Sequence, residues 1–353
     1  MGSIASTTSS VKAIFALDII TAALAFILFL IALSLVFLRL RNNRAWRDTN
    51  LQRTLNGEAP LKSSIWTHFF LIPAFFCLSV AYATLAGVVG RQVGLDSSVS
   101  VTPPFSYRYD GSSGAAGSGR TVSALSYTNA LATVFTSVGL TGAVWLHSVN
   151  LKSNGTGVTS PGMASRLWNA FVLTTMMALG VAAWGLGMSR RNDDIFPTTL
   201  QNDLTTRALY IAYRVWVIFS STSVTIQVIA NYRALKSGGR PGVPFNLTND
   251  ASKLTLQNFE RPVLTRFTFV VVPIIWLRNA LTILDIVLLH VNTTSWSRTT
   301  DRAVAFLLII FGQIANLVIL AMVLYGAWRI GKSAGRGQKG YRTARSSYES
   351  YEA

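Results

Sequence analysis

The sequence predicts an all-α, polytopic membrane protein, a seven-transmembrane-helix bundle. Seven apolar stretches are each long enough to cross a bilayer. Half of the 353 residues are hydrophobic and only 13% are charged, where a soluble protein carries about a quarter. The basic residues gather in alternate connecting segments, as orientation signals do.

A helix rises about 1.5 Å per residue, so a hydrocarbon core of about 30 Å needs roughly 20 apolar residues. Ala13–Leu38 meets that length with Ile, Leu, Ala and Phe, interrupted by Asp18. Ile65–Gly90 carries Pro73 and Cys77, and Ser123–His147 is the third span. Arg166–Met188 contains Gly180, Ala182, Ala183, Gly185 and Gly187, small residues that allow close backbone approach. Thr206–Asn231 carries Arg214, and Val263–His290 carries Pro273, Arg278 and Asp285. Ala303–Trp328 completes the set with Gln313 and Asn316. The prolines are tolerated kinks of the sort common in membrane spans. Trp66, Trp168, Trp296 and Trp328 lie at or near span ends, where an amphipathic ring prefers to sit.

The domain organisation expected is an extracytosolic N-terminus (1–12), a seven-helix membrane domain (13–328) and a disordered basic cytosolic tail (329–353). Met1–Lys12 lacks the basic start and cleavage site of a signal peptide. It matches the M-G-x-x-x-[ST] myristoylation pattern, which would need a cytosolic N-terminus. Charge argues against that placement. One set of segments, including the tail, holds nineteen Lys and Arg residues and the opposite set nine. The richer set is expected in the cytosol, leaving the N-terminus outside. Of the N-x-[ST] sequons, Asn292 falls on the expected outer side, and Asn154 and Asn246 on the inner side.

The net charge is +17. Its carriers form no nucleic-acid motif, so the partners expected are the bilayer and anionic headgroups at the basic loops and tail, with no nucleic acid. Cys77 is the sole cysteine, so no intramolecular disulfide forms. The segment Arg91–Val122 includes the glycine- and serine-rich run 111–119 and is expected to be a flexible loop. Tyr341, Tyr348 and Tyr351 lie in the tail.

A charge near the bilayer centre costs about 2.5–3.5 kcal/mol and is a functional-site candidate by default. Asp18, Arg214, Arg278 and Asp285 are such residues, joined by the amides of Gln313 and Asn316. All six fall in the expected outer half or centre. Arg278 and Asp285 are seven residues apart, on one helix face with Thr282 between them. They stand about 10 Å apart along the axis, too far to pair directly, so each needs a partner elsewhere. Arg214 is the partner expected for Asp285. This set is the candidate ligand-binding site. The first, fifth, sixth and seventh helices thus carry the buried polar groups, and the second, third and fourth supply mainly apolar packing. Arg266 lies within a turn of the cytosolic end and can snorkel.

No catalytic or cofactor motif is present, and the expectation is a non-enzymatic protein without cofactor or metal. The three histidines, His68, His147 and His290, show no zinc spacing and are expected at the interfaces. The seventh span has no lysine for a retinal Schiff base. Asp193-Asp194 reads as a solvated turn. A divergent receptor would share the helix count, but the third span ends Trp145-Leu146-His147-Ser148, and the seventh holds Asn316 and Tyr325 without an Asn-Pro pair.

The run Arg278-Asn279-Ala280-Leu281-Thr282-Ile283-Leu284-Asp285 resembles the arginine-to-acid spacing in the sixth helix of the fungal lipid-translocating exporter family. That family usually has a second arginine where Thr282 stands and glutamate where Asp285 stands. The resemblance implies movement or sensing of lipid-like molecules, with Arg278 and Asp285 in the working cavity. The function expected is transport or handling of an amphiphilic small molecule through an outward-facing polar cavity. The alternatives are a divergent receptor acting through basic cytosolic loops and a non-catalytic structural membrane protein.

Overall fold

Among the described residues, the computed structural model has six long helices and a seventh that opens with a π-helical turn. It describes residues 9–41, 65–93, 116–156, 162–192, 200–237, 250–287, 306–307 and 309–329. In chain order the helices are α1 (Ser9–Arg41), α2 (Ile65–Val93), α3 (Ala116–Thr156), α4 (Met163–Asn192), α5 (Leu200–Ser237) and α6 (Asp250–Ile286). The seventh span, α7, covers Ile310–Arg329, and the π turn Ile309–Ile314 forms its start. All seven are long and apolar enough to cross a membrane. Among the described residues there is no strand. The chain is a multi-pass membrane protein built as a seven-helix bundle.

Side-chain bridges set the direction of each helix. Asn150, late in α3, donates to Thr67 Oγ1, early in α2, at 3.1 Å. Tyr127, early in α3, donates to the Gly187 carbonyl, late in α4, at 2.8 Å. Arg214, early in α5, meets Asp285 at the end of α6. Asn169, early in α4, likewise donates to Gln227, late in α5, so from α2 to α6 neighbours in sequence run antiparallel. The face where α1 begins is termed the N-side, and the opposite face the C-side.

Lipid exposure explains which residues each helix buries. Among the described side chains of α1, Ile14, Asp18, Thr21, Ala25 and Ala32 are the buried ones. Their spacings of four, three, four and seven residues describe a single narrow stripe. Much of the rest of α1 presents Ile, Leu and Phe outward, which in hydrocarbon is the contact surface and in water would be an aggregation surface. The stripe lies on α2 and on the π turn of α7. Ser79 of α2 donates to the Ala22 carbonyl at 3.0 Å, so these two backbones approach closely. Trp66, Trp168 and Trp328 are exposed near helix ends, as an interfacial belt requires.

The centre of the bundle is α3, the most enclosed of the seven. It packs on α2, α4, α5 and α6. Small residues make that possible, because helices in lipid associate largely through close van der Waals packing. A Cβ on Gly139 would sit 2.8 Å from Ala74 Cβ, and one on Gly142 would sit 2.6 Å from the Phe70 ring. Gly180 brings α4 equally near α3, with Val134 Cγ1 2.5 Å from where a Cβ would be. Gly185, expected to act with it, faces open space.

Helices extend beyond several expected span limits. α3 has 41 residues, about 60 Å of rise. Its first residues take up Ala116–Gly119 of the run expected to be a flexible loop. Its last turn holds Asn154, and the N-terminal part of α6 takes up Asp250–Arg261 from a segment expected to be a loop. Residues 1–8, 94–115, the tail 330–353, Asp193-Asp194, Asn246, His290, Asn292 and Trp296 lie outside the described residues.

Gly142→Leu is expected to prise α2 from α3 and lower the melting temperature of the purified protein, since overpacking costs about 1–3 kcal/mol. Gly185→Ala should leave it unchanged in the same fluorescence-monitored melt.

Candidate functional site

Four charged side chains expected inside the membrane are all buried or half-buried, and the N-side half of the bundle gathers them. On α5, Tyr210 and Arg214 are four residues apart and so share a face. The Arg214 Nε–H donates to the Tyr210 hydroxyl, and the guanidinium lies 5.0 Å from the centre of that ring. Arg214 Nη2 then reaches Asp285 Oδ2 of α6 at 3.4 Å. This is the pairing the sequence leads one to expect. Its two members have 22% and 5% of their side chains exposed, too little for water to replace a lost partner.

Asn279 fixes the register of α5 and α6 below that pair. Its Oδ1 accepts from Ser221 Oγ at 2.8 Å, and its Nδ2 donates to Thr222 Oγ1 at 3.4 Å. Arg278, its neighbour, points the other way and crosses to α3, where Nη2 donates to Ser137 Oγ at 3.3 Å. The Arg278 carbonyl accepts from Thr282 Oγ1 at 2.9 Å, which places Thr282 on the same stripe. Arg278 Nη1 is buried without a hydrogen-bond partner.

Asp18 is fully buried, and neither carboxylate oxygen has a partner in hydrogen-bond geometry. It lies beside Gln313, which the π turn carries at the start of α7. Gln313 Oε1 is likewise buried and unpartnered. A π turn widens the helix locally and is frequent at functional sites. Tyr82 of α2 joins the two halves, since its ring is within electrostatic reach of Asp18, Arg278 and Arg214. Tyr213 of α5 is within reach of both arginines and lies near Ser137, though its hydroxyl has no partner in hydrogen-bond geometry. Asn316 lies three residues beyond Gln313 and is buried, with Oδ1 unpartnered. Among the described residues no hydrogen bond links it to the other five.

The tyrosines and Ser137 are the residues that charge-spotting overlooked. A signal existed for one of them: Tyr210 stands four residues before Arg214, the spacing for a pair on one helix face. Tyr82 and Ser137 become visible only once α2 and α3 are packed.

A second polar layer occupies the C-side half and corrects the expectation that α2, α3 and α4 are mainly apolar. Thr67, His68, His147, Ser148, Asn150 and Asn169 are buried there. Asn231 of α5 donates to Ser148 Oγ at 2.8 Å. Asn169 of α4 and Gln227 of α5 form a reciprocal amide pair at 3.1 and 3.2 Å. Further up α3, Thr133, Thr136 and Thr141 each donate to the carbonyl four residues earlier. Such groups enter a bilayer at small cost because neighbouring helices or their own backbone satisfy them. His68 and His147, expected at the interface, lie inside the bundle instead. The His147 ring meets Phe267 edge-on at 5.0 Å. It also packs so closely on Gly326 that no side chain fits there. Among the described residues, no cluster of His, Cys, Asp and Glu could hold a metal ion.

Fold and site thus define a polytopic seven-helix membrane protein with buried charge in one half. No family model matches the chain, and no curated protein or solved structure matches it either.

Breaking a buried ion pair from one side leaves an uncompensated charge, at a cost of about 3–5 kcal/mol. Asp285→Ala is therefore expected to lower the melting temperature sharply. Asp285→Leu combined with Arg214→Met should melt well above the single variant in the same thermal assay.

Proposed function

We propose that this protein is a non-enzymatic membrane protein that binds and translocates a lipid-like or amphiphilic small molecule through a polar site open on the N-side. The observation that carries the reading is unfilled bonding capacity on charged groups in the N-side half. Asp18 and Arg278 are buried charged groups there with polar atoms that have no partner in hydrogen-bond geometry, although the Gln313 side chain lies against the Asp18 carboxyl. Ionisable groups are costly in a bilayer, and their usual justification is a substrate path or a ligand. An amphiphile suits a site reached from lipid, because its tail stays in hydrocarbon while its headgroup meets the charges.

Positive-inside bias supports an extracytosolic N-side and a cytosolic C-terminus. Basic connecting segments and the tail would then lie against anionic headgroups. The similarity of Arg278–Asp285 to the sixth-helix pattern of lipid-translocating exporters points the same way, over eight residues. A purely structural role accounts well for Arg214–Asp285 and Asn279. It leaves Asp18 and the second nitrogen of Arg278 unexplained, and so ranks second. A receptor reading has helix count and basic loops behind it.

Vesicles reconstituted with the full chain are expected to move a fluorescent short-chain lipid between leaflets faster than protein-free vesicles. Arg278→Ala should reduce that rate about tenfold or more, since a hydrogen bond to a charged group contributes about 1.5–3 kcal/mol. Equal rates for wild type, variant and empty vesicles would overturn the proposal. Glycosylation at Asn154 in cells would invert the orientation.

A further inference from the structure

The four buried charges are not equivalent. Arg214 and Asp285 neutralise one another across α5 and α6. Asp18 and Arg278 do not. No ion pair joins them, and Tyr82 stands within electrostatic reach of both. Asp18 has two unpartnered oxygens, and Arg278 has an unpartnered Nη1. Arg278 is held from behind by Ser137, and the Tyr213 hydroxyl, near the same guanidinium and the same Ser137, has no partner in hydrogen-bond geometry.

Resting on the reading above, we propose that Asp18 and Arg278 are the two poles of a binding site for a zwitterionic headgroup, its cationic group on Asp18 and its anionic group on Arg278.

The charge balance decides between ligand classes. A singly charged amphiphile would satisfy one pole and leave the other buried and uncompensated, which is the costly arrangement in a low-dielectric interior. A headgroup bearing both charges satisfies both poles and adds no net charge to the membrane interior. The donors and acceptors fit that division. A carboxylate only accepts and suits an ammonium group, whereas guanidinium and phenol donate and suit a phosphate or carboxylate. Gln313, next to Asp18 on the π turn, offers Oε1 as a second acceptor for the cationic end.

The test measures binding of three amphiphiles with the same dodecyl chain to the full-length protein in uncharged maltoside micelles. They are dodecylphosphocholine, dodecyltrimethylammonium and dodecyl phosphate, read by change in intrinsic tryptophan fluorescence. The zwitterion is expected to bind about tenfold more tightly than either singly charged compound, the scale of one charge-assisted hydrogen bond. Asp18→Asn should weaken the zwitterion and the cation but not the anion. Arg278→Gln should weaken the zwitterion and the anion but not the cation. If either variant fails to fold, the wild-type ranking still decides. A singly charged compound binding as tightly as the zwitterion, and sensitive to one of the two positions, would overturn the two-pole site and leave amphiphile handling standing. No binding of any compound, together with no lipid movement in vesicles, would remove both.

Discussion

Hydrocarbon offers no hydrogen bonds, and that single deficiency organises the molecule. A polar side chain on any of the seven helices must turn inward and find a partner on another helix, or bond to its own backbone. The threonines of α3 take the second course. Asn150, Asn169, Gln227, Asn231 and Asn279 take the first. Each interhelical bond contributes modestly, on average about 0.6 kcal/mol in a membrane setting. Their larger effect is on rotation and register, because each one excludes the neighbouring helix faces. Close approach at Gly139, Gly142 and Gly180 supplies the packing that lets those short side chains reach.

Against that rule the two halves of the bundle differ. The C-side layer is rich in amides and hydroxyls that pair within the protein, while both ring nitrogens of His147 and Trp145 Nε1 are buried there without a hydrogen-bond partner. The N-side layer carries full charges, contributed by α1, α5 and α6 and bridged by tyrosines from α2 and α5. One ion pair there is complete, and two charges are not. An incomplete buried network is less stable than an apolar replacement. Its cost is what motivates a ligand-binding reading.

Much of this was readable from residues alone. Span number followed from length and hydropathy, and the Arg214–Asp285 pair followed from depth and opposite charge. Helix ends were less legible, because the polar ends of α3 and α6 lose their apolar signal while the backbone continues as helix. The neutral polar layer was missed for a different reason. Ser, Thr and Asn are inexpensive enough in a membrane to be scattered through any span, so nothing in a single helix marks the ones that pair. His68 and His147 read as interfacial from position alone, yet Gly326 opens room for His147 inside the bundle. The shared neighbourhood of Asp18, Tyr82 and Arg278 depends on how three helices rotate, which no one-dimensional pattern contains.

The central claim is that Asp18 and Arg278 face one common site and are left unpaired for a ligand. A density map of the protein in lipid, determined with and without dodecylphosphocholine, addresses it most directly. The account predicts headgroup density in contact with both the Asp18 carboxylate and Arg278 Nη1, with Arg214–Asp285 unchanged between the two maps. Asp18 turned toward lipid, or Asp18 and Arg278 bonded directly to each other in both maps, would contradict it.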